Sequence, residues 1–161
     1  MLNFPFLVGE NVSLERDLVK PVKSLEVIYS QTHKPQYVKI IYENSIYLYF
    51  SVEMNNIQER CEIGRLVIED GIEGSYLNNN DNILFEFDEF YIKFCSKLVY
   101  VNDWGRAECG LKFESLDGEQ FYIVSGDYPY SVALIGDRFE ALGLVPEFAL
   151  NEYHYEEIGP I

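Results

Sequence analysis

The side chains able to do chemistry are unevenly placed along this chain. Glu69, Asp70, Glu73, Asp81, Glu86, Asp88 and Glu89 fall in an interval, between Arg65 and Lys93, that holds no Lys or Arg. A face kept charged for solubility ordinarily mixes signs. The run is therefore expected to present a negative surface that steers and selects a basic protein partner, the plainer reading being a solvated charged face. Tyr76 in the same segment and Trp104, the single Trp, would supply apolar anchors, since a few aromatic residues carry much of the energy of an interface. Trp104 stands in Asp103-Trp104-Gly105-Arg106, a tight connection. Its ring is expected to fold back and lid one end of the core, with an exposed anchor as the alternative.

Other chemistries find little support. Cys61, Cys95 and Cys109 are an odd number without C-x-x-C spacing, which argues against a disulfide framework and against zinc. Cys95 and Cys109 alternate with apolar neighbours and read as small buried hydrophobes. A cysteine nucleophile needs a histidine to take its proton, and His33 and His154 both lie outside any recognisable motif. Asn78, Asn80 and Asn82, followed by Glu89, echo a calcium loop. Ile83, however, stands where the sharp turn needs Gly, and amides replace the acids, so an Asn-rich turn is expected. Gly71 and Gly74 are too isolated to cradle phosphate. No catalytic residue, metal or cofactor is expected.

At 161 residues the chain can bury a sizeable core as one domain spanning 1–161. A net charge of −15 repels nucleic acid and anionic membranes. The charge is not spread evenly: residues 1–40 carry five basic and four acidic side chains, leaving −16 on the rest. Pro5 breaks an N-terminal apolar run that is too short and lacks a basic flank, so no secretory signal is expected, and no run reaches the length of a membrane helix. Together with the free cysteines this points to the cytoplasm. In size, acidity, β content and lack of a catalytic motif, the chain resembles the bacterial immunity proteins that neutralise a cognate toxin, many of which target basic nucleases. The resemblance implies a binder rather than an enzyme. Two other functions compete: a carbohydrate or small-ligand module whose exposed Tyr and Trp, notably those of residues 37–52, form a stacking platform, and a hydrolase using two converging carboxylates.

The elements that must position these groups are strands. Tyr and Phe, 13 and 11 in number, suit pleated half-buried surfaces. Phe85, Phe87, Phe90, Ile92, Phe94, Leu98 and Tyr100 keep close to a period of two. The runs from Glu108 to Ser115 and Glu119 to Ser125 flank the turn Leu116-Asp117-Gly118, a hairpin signal. Strands are also predicted from Lys23 to Tyr29, over 37–42 and 46–52 around Glu43-Asn44-Ser45, over 61–69 and over 130–135. A short helix carrying Leu14 and Leu18 would be capped by Asn11 or Ser13 and ended by Pro21. One helical turn, Arg138 to Leu142, would be capped by Asp137 and stopped by Gly143, with an extended arm after Pro146. The fold class is mainly β: an antiparallel meander forming a sandwich or partly open barrel, with one or two short helices.

Overall fold

The computed structural model describes residues 1–58, 61–72 and 81–159. The fold is built on one long strand, β7 (Ile83–Val101), which belongs to two half-sheets. Its first half pairs antiparallel with β3 (Pro21–Tyr29), and from there the order runs through β4 (Pro35–Tyr42), β5 (Tyr47–Gln58) and β6 (Cys61–Glu69). Its second half pairs on one side with β8 (Gly105–Ser115) and on the other with β11 (His154–Gly159). Beyond β8 lie β9 (Gln120–Ser125) and β10 (Val132–Gly136). The strands make one eleven-stranded sheet that does not close. Folded on itself, it brings β6 against β8 and β4 against β10, the sandwich-like arrangement that the alternating apolar pattern predicts.

β7 carries an irregularity that matters for the surface. Its pairing with β3 slips between Val22 and Ser24. Phe87 and Phe90 are both buried although three positions apart, so the intervening Asp88 and Glu89 both face solvent. An extra residue in a strand bends it and re-aims its side chains in this way. The core lies between the half-sheets, where Phe113 stacks on Phe121 with centroids 4.7 Å apart and Phe50 of β5 meets Phe113 edge-on at 6.4 Å. Contacts of these geometries add to the burial of apolar area.

Two short parallel strands were not foreseen. β1 (Leu2–Phe4) lies on β8 and β2 (Leu7–Val8) on β6, so the chain crosses from one half-sheet to the other through Pro5 and the buried Phe6. The sheet is therefore mixed rather than purely antiparallel. The short helix forms as α1 (Leu14–Asp17), yet Ser13 makes no side-chain cap. Instead Asp17 reaches back, accepting the Ser13 amide at 2.9 Å and the Arg16 guanidinium, and the Arg16 bonds lead in holding its carboxyl below the ordinary range against burial. The predicted turn after β10 is a 3-10 helix, Asp137–Leu142, ended by Gly143 in the left-handed conformation. The arm after Pro146 divides into a single 3-10 turn, Leu150–Glu152, and β11. Among the described residues, no helix is long and apolar enough to cross a membrane.

Candidate functional site

The acidic run does not fold into one patch. Glu69 ends β6 and faces Tyr49, which faces Lys39, then Glu26, then Leu84 of β7. Four strand spacings, roughly 19 Å, and the Lys39 ammonium thus separate Glu69 from the β7 acids. Asp70 is exposed just beyond β6. Asp81 is held by His33 of the β3–β4 turn, whose Nδ1 lies 2.6 Å from its carboxylate. Glu73 and Tyr76 lie outside the described residues, as do Asn78 and Asn80. Glu86, Asp88 and Glu89 are exposed together on the bent stretch of β7.

Of these, Asp88 adjoins a second group that the sequence does not single out. Arg138 donates to both carboxylate oxygens of Glu119, at 2.5 and 2.7 Å, and its guanidinium lies 4.8 Å from the Phe87 ring. Its pKa is raised, first by the Glu119 hydrogen bonds and further by the charges of Glu119, Asp117 and Asp88. Asp88 of β7 and Asp117 and Glu119 of the β8–β9 turn are therefore gathered around one cation. Asp137 and Glu140 flank Arg138 in the chain and, with Glu119, line a cavity of about 420 Å³. Asp117 is fixed by the Ser115 hydroxyl, which donates to it and is the main cause of its lowered pKa. Lys23 stands on β3 opposite the irregular stretch of β7 and is exposed. Large apolar side chains are exposed here as well: Leu84, Tyr91, and Leu116 at 68%, with the Leu116 amide bonded to the Tyr91 carbonyl at 3.0 Å.

Trp104 corrects an expectation. Its ring is 54% exposed rather than folded over the core, because Asn102 Oδ1 accepts the Trp104 and Gly105 amides at 2.9 and 3.0 Å and so fixes a turn that points outward. It sits at the far end of β7 from Asp88, roughly 40 Å along the strand, so it does not join the acidic group. The tyrosines of residues 37–52 do not form an exposed row either. Tyr42 and Tyr49 are buried, Tyr37 is half-buried, and Lys39 covers the exposed Tyr47 at 4.4 Å.

The exposed tyrosines lie elsewhere. Between the β3–β4 turn and the loop Gly126–Ser131 are two adjoining cavities of about 320 and 300 Å³, which share Lys34, Pro35, Tyr128 and Ser131. The loop is tightly fixed. Gly126 N–H donates to Ser131 O at 2.8 Å, Ser131 N–H to Tyr128 O at 3.0 Å, and Ser131 Oγ to the same carbonyl at 2.6 Å. A Cβ on Gly126 would stand 2.2 Å from Ser131 Oγ, so only glycine fits. Tyr128 to Ser131 is thus a four-residue turn with Pro second and, third, Tyr130 at φ +64°. That third position usually takes Gly, and a side chain there costs roughly 1–3 kcal/mol. This turn is why β10 begins at Val132 and not at Tyr130. Gln36 lines the larger cavity, and its amide oxygen is buried without a hydrogen-bond partner, a state costing about 1–3 kcal/mol.

Comparison with protein-family models, curated proteins and solved structures gives no match. Function is thus read from the geometry of the chain itself.

Two carboxylates, the buried Glu108 and the half-buried Glu147, are structural pins. Glu108 accepts the Phe6 amide at 2.8 Å and the Lys97 ammonium at 2.9 Å, with Arg106 at 3.6 Å. Burial pushes its pKa up, but Lys97, the Phe6 amide and Arg106 together outweigh that and hold it below the ordinary range. Glu147 Oε1 accepts the Gly64 amide of β6 at 3.1 Å and the Ser125 hydroxyl of β9 at 2.9 Å, tying the half-sheets together. Burial dominates there, and the Glu147 pKa is raised above its ordinary 4.5. The folded state therefore binds that proton more tightly than the unfolded chain does, so its contribution is full below the ordinary value and is lost as pH rises through the folded one. Glu147→Gln keeps both acceptor bonds without the charge. In urea titrations it is expected to match the wild type at low pH and to exceed it near neutrality; a variant less stable at neutral pH would contradict this.

Cys95 and Cys109 are buried. Burial pushes the thiols of Cys95 and Cys109 far up, the opposite of what a reactive thiolate needs. Among the described residues, no three His, Cys, Asp or Glu side chains come together as a metal site.

Proposed function

We propose that this protein binds a basic protein partner through the carboxylate-rich end gathered around Arg138, as a cytoplasmic, toxin-neutralising protein of the immunity type. The observation that carries the reading is that acids from two separate chain segments, β7 and the β8–β9 turn, bear on a single guanidinium, beside a cavity lined by Glu119, Asp137 and Glu140. One cation cannot balance them, and the remaining field attracts and orients a basic surface. The exposed Leu84, Tyr91 and Leu116 among these acids supply the apolar area that charge alone lacks, because durable interfaces combine a desolvated apolar centre with a polar rim. A globular chain of net charge −15 fits the same role in its long-range steering of a cationic toxin.

The test compares a triple charge reversal on β7 with a double reversal at the end of β6. In a low-salt pull-down from the native host, the wild type is expected to retain a basic protein that salt releases. Glu86→Lys/Asp88→Lys/Glu89→Lys is expected to weaken that binding at least about tenfold, while Glu69→Lys/Asp70→Lys leaves it largely intact. Co-expression of the captured protein then reads neutralisation as growth with the wild type and arrest with the triple variant. Recovery of no basic protein, or equal retention by the triple variant, would overturn the proposal.

A further inference from the structure

We propose that the cavity between the β3–β4 turn and the Tyr128–Ser131 turn binds a neutral saccharide, which stacks on Tyr130 and donates a hydroxyl hydrogen bond to Gln36. This site is independent of the acidic end.

Three observations converge on it. First, Tyr130 is 61% exposed and held at φ +64° by a turn that is closed by two bonds to the Tyr128 carbonyl. A side chain held in this conformation where Gly would serve is uncommon, and such strain clusters at ligand sites. Among the described residues Tyr130 meets no ring or cation, whereas Lys34 lies 4.0 Å over the Tyr128 ring and steadies it. One aromatic face is thus fixed in place and the next is left open beside a cavity of about 320 Å³, at the lower end of the range of roughly 300–1,000 Å³ for small-ligand sites.

Second, the wall has the chemistry of a sugar site. It combines hydroxyls, including Thr32 and Ser51, with the Gln36 amide and tyrosine rings. The Gln36 amide oxygen is buried and has no hydrogen-bond partner in the protein. Turned onto a ligand hydroxyl, it gains the hydrogen bond it lacks, and a donor-bearing ring is the ligand class that supplies one.

Third, charge selects among polar ligands. No Asp or Glu lines this cavity among the described residues, so a cationic ligand finds no counter-charge. The cavity's lone ammonium, Lys34, is engaged with Tyr128, and the net −15 of the chain disfavours an anion. A neutral ring with hydroxyl edges and an apolar face remains.

Saturation-transfer NMR with cellobiose, maltose, lactose and N,N′-diacetylchitobiose tests this, with glucuronate and inorganic phosphate as anionic probes. At least one neutral disaccharide is expected to receive saturation from the wild-type protein. Tyr130→Gly is expected to weaken its binding at least about tenfold while leaving the melting temperature unchanged or higher, because Gly relieves the left-handed strain. Gln36→Met, which removes the unpaired oxygen at constant length, is expected to weaken it similarly with no loss of stability. Binding of none of the four neutral probes at about 10 mM, binding of the anions alone, or undiminished binding by Tyr130→Gly would overturn the proposal.

Discussion

Glu108→Ala is expected to lower the unfolding free energy by roughly 3–5 kcal/mol, the cost of stranding buried partners. In the wild type the carboxylate accepts the Phe6 amide and faces Lys97 and Arg106. Without it, Phe6 keeps a buried donor with no acceptor, Lys97 loses its counter-charge, and the crossover from β1 to β2 loses its fastening. The midpoint of urea unfolding falls with an unchanged slope. The same carboxylate makes stability depend on pH. Its folded pKa is depressed, so its contribution is complete above the ordinary glutamate value of 4.5 and disappears as pH falls through the lower folded value. The difference between wild type and variant must therefore shrink on acidification. A variant as stable as the wild type at neutral pH would show that the crossover is held by packing alone.

The second large effect is expected at Phe121. Its side chain is 1% exposed and lies 4.7 Å from Phe113, 5.3 Å from Phe90 and 6.2 Å from Phe139 by ring centroids. Those rings come from β7, β8 and the 3-10 helix that carries Arg138, so they cannot all close into the space that a truncation leaves. Phe121→Ala is expected to cost about 3–5 kcal/mol in urea unfolding, through lost transfer free energy and a cavity that persists. Phe121→Leu, which keeps most of the volume, should cost well under half as much. Because Phe139 packs on Phe121 and the residue before it, Arg138, lies over Phe87, the alanine variant should also loosen the Arg138–Glu119 pair. A loss below about 1 kcal/mol would mean that the cluster repacks.

Long strands were legible because alternation repeats within them. β6 was read at Cys61–Glu69, and the β8–β9 hairpin was marked by Asp117-Gly118, the glycine adopting φ +89°. β1 and β2 were not, since two or three residues carry no period and their partners lie in β8 and β6. Nothing local to Glu108 marks it as buried, and only the crossover of Phe6 onto it makes it a buried acceptor. The acidic run was legible as a composition and misleading as a surface. Nearness in sequence put Glu69 with Glu86, whereas the sheet puts three strands between them and brings Asp88 instead to Asp117 and Glu119. The alternating pattern predicts a strand from Tyr130, whereas β10 starts at Val132. Pro129 before Tyr130 was the available signal, since proline in second place announces a turn whose third residue can need positive φ.

The fastening of Phe6 to Glu108 also sets a clock on synthesis. The two residues are 102 positions apart, so at about 5–20 residues per second the ribosome leaves the first strands waiting roughly 5–20 s for their acceptor. During that interval the crossover has no partner sheet, and the apolar edge of the nascent β3–β6 hairpins is uncovered. Contacts this distant in sequence slow folding, and β1 and β2, although made before the sheets they join, are among the last elements that can dock.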